Sequence, residues 1–239
     1  MDDLFVDLFS KTFFILSVQL FITWATTQIF FSCLKRSDPK LGDPNVNALQ
    51  ELIEHNPNHF WLNRPFFTGL MGASFVLFLV LLFWGIDQPL TTSFALFSLW
   101  SVLTGIQLEY VLLTIDHGVG RKALAFTATI VLATGLIGIY SKINFSFLSI
   151  PLFIGLIGLL IFNTVSLFSA MKNTSQRLAA GFGVALFTLY LVFDFNGLSE
   201  KEASGENSWS MAMRIAIKIY LDIINLFLQL LKALGHGHH

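Results

Sequence analysis

Apolar residues dominate six long stretches of the chain, and polar residues gather in the gaps between them. A helix needs ~20 such residues to cross ~30 Å of hydrocarbon. Backbone groups in lipid must be satisfied within the segment, which makes helix the default. The pattern predicts spans at about 13–34, 66–86, 90–114, 122–140, 145–171 and 177–194. A seventh segment, 209–234, differs in kind. At ~100° per residue, its Arg214, Lys218, Asp222, Asn225, Gln229 and Lys232 fall within an arc of roughly 80°. So continuous a polar stripe does not face hydrocarbon. It lies on a membrane surface or is wrapped by other helices. The six apolar segments upstream favour wrapping. The expected fold is an all-α membrane protein, a seven-transmembrane-helix bundle with the C-terminal helix central, forming a single integral domain.

The connections are short, except for the polar stretch 35–65, which reads as a loop insertion. Its turns are marked by Pro39, Pro44, Pro57 and Pro65, and 45–55 reads as a short interfacial helix. Asp116, His117, Gly118 and Gly120 predict a tight turn before the fourth span, and Asp194 is expected to close the sixth. Gly69, Gly72, Gly135, Gly138, Gly155, Gly158, Gly181 and Gly183 stand where helices are expected to approach closely. The first apolar run follows Asp2, Asp3 and Asp7 rather than a basic region, and it is read as a span rather than a signal peptide. With the amino terminus inside, five basic residues fall on the inner side and nine on the outer. That tally favours the opposite orientation.

Composition supports lipid as the solvent. Charged residues make up 12% of the 239 residues, about half the usual share of a soluble domain. Net charge is −1 and no basic block exists, which argues against nucleic acid as a partner. The single cysteine, Cys33, excludes an internal disulfide and is read as a small packed hydrophobe. All six histidines (His55, His59, His117, His236, His238 and His239) are expected in loops or at the terminus, and no HExxH motif is present. The chain is therefore not read as an enzyme, and no cofactor is expected.

Ionisable groups inside a membrane are functional candidates by default. Three carboxylates qualify, Glu109, Asp194 and Asp222, with Asn225 as a further polar position. Asp194 and Asp222 lie towards the same side of the membrane on successive helices joined by a short linker, so they are able to meet. Two carboxylates brought together in a poorly solvated site share a proton. Their oxygens are also hard ligands suited to Ca²⁺. The plainer alternative is that Asp194 is a helix-end residue and Asp222 the partner of Lys218, one turn away.

The segments LYLVFDFNGL (189–198) and IYLDIINLFLQLLKALG (219–235) resemble the closing signature of the transmembrane Bax-inhibitor-motif family. Weaker similarity extends through KALAFTATIVL, INFSFLSIPLFIGLIGLLI and FSKTFFIL, leaving out the loop insertion. The resemblance implies seven helices around a central last one, with an amino terminus inside. It implies a pH-sensitive Ca²⁺ leak gated by a di-aspartate pair, Asp194 and Asp222, with Ca²⁺ as the permeant ion. The alternative it implies is a non-conducting interaction protein that modulates a membrane-anchored AAA protease or another membrane partner. Lys218 departs from the family pattern, since a cation there favours the ionised pair and repels Ca²⁺. The second helix ends in FWGIDQ without an arginine, so Lys218 or Arg214 is the expected electrostatic clamp. The expected location is a bacterial inner membrane, with an internal eukaryotic membrane as the alternative.

Overall fold

Helix α1 (Leu8–Ser37) begins five residues ahead of the predicted span, and the cause is a polar cap. The Asp7 carboxylate accepts the Ser10 N–H at 2.6 Å, and the Ser10 hydroxyl donates to the Asp7 carbonyl at 2.9 Å. The pair satisfies donors that a helix start leaves orphaned. These hydrogen bonds also hold the Asp7 carboxyl below its usual range. The computed structural model describes residues 5–37, 64–113, 115, 117–141, 143–168 and 173–235. The expected helix at 45–55, most of the loop insertion, and five of the six histidines lie outside those residues.

Among the described residues six more α-helices follow: α2 (Arg64–Phe83), α3 (Leu90–Leu112), α4 (His117–Tyr140), α5 (Ser149–Phe168), α6 (Asn173–Ala203) and α7 (Trp209–Gly235). No strand occurs among the described residues. The helices α1 to α6 are long and apolar enough to cross a membrane. Helix α7 is not among them, because Arg214, Lys218, Asp222 and Lys232 interrupt its apolar run. Large apolar side chains stand open on the outer faces, including Leu132 at 70% and Leu178 at 72% exposure. In water such surfaces drive association, whereas lipid solvates them.

Several predicted boundaries shift. Of the expected turn, His117, Gly118 and Gly120 lie in the first turn of α4, and Asp116 lies outside the described residues. Asp194 does not close the sixth helix, since α6 runs nine residues further. Asn196 and Leu198 are buried in that extension. The true end is a Schellman motif. Gly205 adopts φ +81°, its N–H bonds the Glu202 carbonyl at 3.0 Å, and the Glu206 N–H bonds the Lys201 carbonyl at 3.2 Å. The polar linker expected at 196–207 thus shrinks to the residues after Ala203, and Ser208 caps α7 by accepting the Met211 N–H at 3.1 Å. Cys33, expected to be packed, is exposed on α1.

The chain divides into two compact units, one of residues 13–117 and the other of residues 1–12 with 118–239. In the first, α1 meets α3 along a polar ladder at four-residue spacing. The Gln19 amide receives the Ser101 hydroxyl at 2.9 Å and donates to Ser98 at 3.1 Å, and Thr27 donates to the Gly105 carbonyl at 3.1 Å. Small residues let the backbones approach, with side-chain hydrogen bonds across the contact. Gly105 has no room for a Cβ, which would lie 2.6 Å from the Thr23 carbonyl oxygen.

In the second unit, α6 and α7 pack along most of their length. Helix α4 joins them at Gly138, where a Cβ would stand 2.6 Å from that of Phe195 and 2.8 Å from the Val192 carbonyl oxygen. The Asn196 amide donates to the carbonyls of Gly138 (3.3 Å) and Ile143 (3.2 Å) and accepts the Phe145 N–H (3.1 Å). Of the other glycines expected at contacts, Gly69, Gly72, Gly158 and Gly181 meet no atom within 4 Å. They face outward rather than a neighbouring helix.

Candidate functional site

The start of α1 is strapped to the α6–α7 connection. The Leu8 N–H donates to the Glu202 carboxylate at 2.6 Å. Buried Lys11 donates to the Asn207 carbonyl at 3.0 Å and side-chain oxygen at 2.8 Å, and its ammonium lies 5.5 Å from the centre of the Trp209 ring. Asn207 in turn donates to the Val6 carbonyl, and Phe5 meets Trp209 edge to face. These contacts fix the connection through which α6 turns back as α7.

That hairpin brings Asp194 and Asp222 within electrostatic reach of each other. Asp222 is buried and Asp194 is half-buried. Oδ2 of Asp222 is buried with no hydrogen-bond partner among the described residues. Lys218 presents its charge to both carboxyl groups. Tyr190, one turn before Asp194 on α6, lies within electrostatic reach of both acids.

The polar arc of α7 separates into two rows. Arg214, Lys218 and Lys232 are exposed and Asn225 is half-buried, whereas Asp222 and Gln229 are buried. Of the two expected clamp residues, Lys218 reaches the acid pair. Arg214 lies two turns, ~12 Å of helix rise, before Asp222. Asn225 donates to the Leu221 carbonyl of its own helix at 2.9 Å. Glu109 belongs to the other unit, where it is buried on α3.

Tyr190 and Asn196 were not singled out from the sequence, although both stand within a turn of Asp194. Spacing was the available signal for Tyr190, four residues before the acid and hence on the same helix face. Asn196 carried no such signal, since its role depends on backbone groups at the end of α4 and just beyond it. No group of three or more metal-ligating side chains occurs among the described residues.

Residues 6–239 match the family model described as "Inhibitor of apoptosis-promoting Bax1". The chain is 29% identical over 202 residues to the Escherichia coli "Inner membrane protein YbhL", covering 80% of this chain and 81% of that protein. A 93-residue stretch is 34% identical to "Protein LIFEGUARD 1" of Arabidopsis thaliana, covering 39% of this chain and 37% of the plant protein. A Borreliella burgdorferi protein is 29% identical over 148 residues, 60% of this chain. The match spans 63% of that relative's length, a little under two thirds.

Proposed function

The chain belongs to the family of inhibitors of apoptosis-promoting Bax1, and from that premise we propose that it is a pH-gated Ca²⁺ leak of the membrane, switched by Asp194 and Asp222. In this reading α7 also crosses the membrane, as a central helix shielded from lipid by the other six. The observation that carries the proposal is the pairing of the two acids within electrostatic reach of each other, beside a buried Asp222 oxygen that no described group satisfies. While one proton bridges the carboxyl groups, it ties α6 to α7. Once the proton leaves, two anions face each other. At an effective dielectric of 20, unit charges ~4 Å apart repel by about 4 kcal/mol. Lys218 offsets part of that. The remainder is on the scale of the few kcal/mol by which two-state elements are biased. The separated carboxylates then offer hard oxygen ligands to Ca²⁺ as cargo.

Lys218 is also the observation that favours the second reading, a non-conducting protein that restrains a membrane-anchored protease or another membrane partner, because its charge beside the pair opposes Ca²⁺ entry. The inner-membrane name of the E. coli relative supports a bacterial inner membrane as the location. The plant relative fits an internal eukaryotic membrane instead. The test is Ca²⁺ uptake into proteoliposomes by the full chain and by Asp194→Asn. Uptake above empty vesicles that the substitution alters supports the leak. Uptake equal to empty vesicles leaves the interaction protein.

A further inference from the structure

The connection between α4 and α5 turns its backbone inward. The Asn196 amide of α6 takes the carbonyls of Gly138 and Ile143 and the Phe145 N–H, at 3.3, 3.2 and 3.1 Å. Ser199, further along α6, donates to the Ile139 carbonyl at 3.3 Å. Two more N–H groups are settled locally, Ile143 on the Ser141 hydroxyl at 3.0 Å and Ser146 on the Asn144 side-chain oxygen at 2.7 Å. A connection in water can leave such groups to solvent. At membrane depth, irregular backbone is tolerated where protein satisfies it.

The large apolar side chains do the opposite. Ile143 is 59% exposed, Phe147 67% and Ile150 70%. Phe147, Ile150 and Ile154 follow the three-then-four spacing of one helix face, with Ile143 just ahead of it. Asn144, Ser146 and Ser149 stand between them, exposed and uncharged. An apolar face with a polar margin is the pattern of segments that lie at a membrane interface. We propose that this connection is a lipid-binding wedge. Ile143, Phe147 and Ile150 insert at the boundary of headgroups and acyl chains, and Asn196 joins the wedge to α6 two residues from Asp194. Continuity names the occupant, because the face extends the open apolar surface of α4 and α5 that lipid solvates. The wedge goes beyond the leak reading and does not depend on it. It gives the bilayer a hold on α6 beside one of the acids, whether or not an ion passes.

The test reads depth at single cysteines in full-length Cys33→Ser protein in liposomes, each labelled with bimane. Phe147→Cys and Ile143→Cys report the wedge, Leu132→Cys the outer surface of α4, and Ser204→Cys the exposed α6–α7 connection. Phosphatidylcholine brominated near the headgroup should quench the wedge labels at least as strongly as the label at 132. Iodide on both sides of the membrane should quench them several-fold less than the label at 204. The reverse ranking places the connection in water and overturns the inference. Protection from both quenchers means that a second copy of this chain covers the face, and overturns it as well. Asn196→Leu frees three backbone groups that then draw in water, so iodide quenching at 147 should rise towards that at 204. Ser199→Ala frees one and should raise it by less, and it decides alone if Asn196→Leu does not fold. Quenching unchanged in the folded variants overturns the tie to α6.

Discussion

Gly138→Ala adds a single methyl where α4 crosses α6, 2.6 Å from the Phe195 Cβ and 2.8 Å from the Val192 carbonyl oxygen. The Asn196 backbone nitrogen lies at 3.0 Å. Two of these three atoms are backbone, so no flexible side-chain end yields, and the helices must separate. Overpacking of this kind costs about 1–3 kcal/mol. Separation also stretches the 3.3 Å bond from Asn196 to the Gly138 carbonyl, and a buried group left unpaired adds about 1–3 kcal/mol. Better helix propensity of alanine returns about 1 kcal/mol, leaving a net loss of about 1–5 kcal/mol. At roughly 2–4 °C per kcal/mol for a chain of this size, Tm should fall by about 2–20 °C. Tryptophan fluorescence during a thermal ramp in detergent reads it directly. Gly158→Ala is the internal control, because nothing lies within 4 Å of that position, and its Tm should hold or rise. A Gly138→Ala protein that melts with Gly158→Ala would refute the close-packing argument, and with it the way α4 is held to positioned Asp194.

Lys11→Met keeps the apolar stem and removes two hydrogen bonds to Asn207 and the contact with Trp209. In a background without Cys33, a cysteine placed at Ser204 should then react with a maleimide faster than in the parent, and equal rates would show that the strap does not restrain the connection. The Asp7 carboxyl is held below its ordinary value of 3.8 by the Ser10 bonds. Its stabilising effect is therefore complete above that value and is lost as pH falls through the lower folded value. The protection factors of the amides at 8–11 should fall on acidification there, and Asp7→Asn should remove that acid-dependent component. Lys218→Ser removes the cation that faces both acids, so Ca²⁺ flux at alkaline pH should increase, and a decrease would show that the lysine supports conduction rather than opposing it.

The spans were legible because a lipid-facing helix needs only length and apolar character, and α1 to α6 supply both. Helix ends were less legible, since the devices that set them are polar and lie beyond the apolar run. Asp7 with Ser10 starts α1 early, and the Schellman turn at Gly205 lets α6 continue past Asp194. The acid pair could be read from two carboxylates on successive helices with a short connection, and the structure brings those two together. The division of the α7 arc was not readable. Six polar residues within one arc look equivalent in projection, and only packing against α6 makes Asp222 and Gln229 buried while Arg214 and Lys218 remain exposed. Asn196 was missed because its three partners, Gly138, Ile143 and Phe145, are backbone groups more than 50 residues away. Backbone partners leave no trace in side-chain chemistry.

The central claim is that one proton between Asp194 and Asp222 controls passage of Ca²⁺. Its most direct test is Ca²⁺ flux into proteoliposomes between about pH 6 and pH 8, for the wild type beside Asp222→Asn. The account predicts a flux that changes with pH in the wild type and is flat across the window in Asp222→Asn, which has no second acid to share the proton. The same pH dependence in both proteins, or no flux above empty vesicles at any pH, would contradict it.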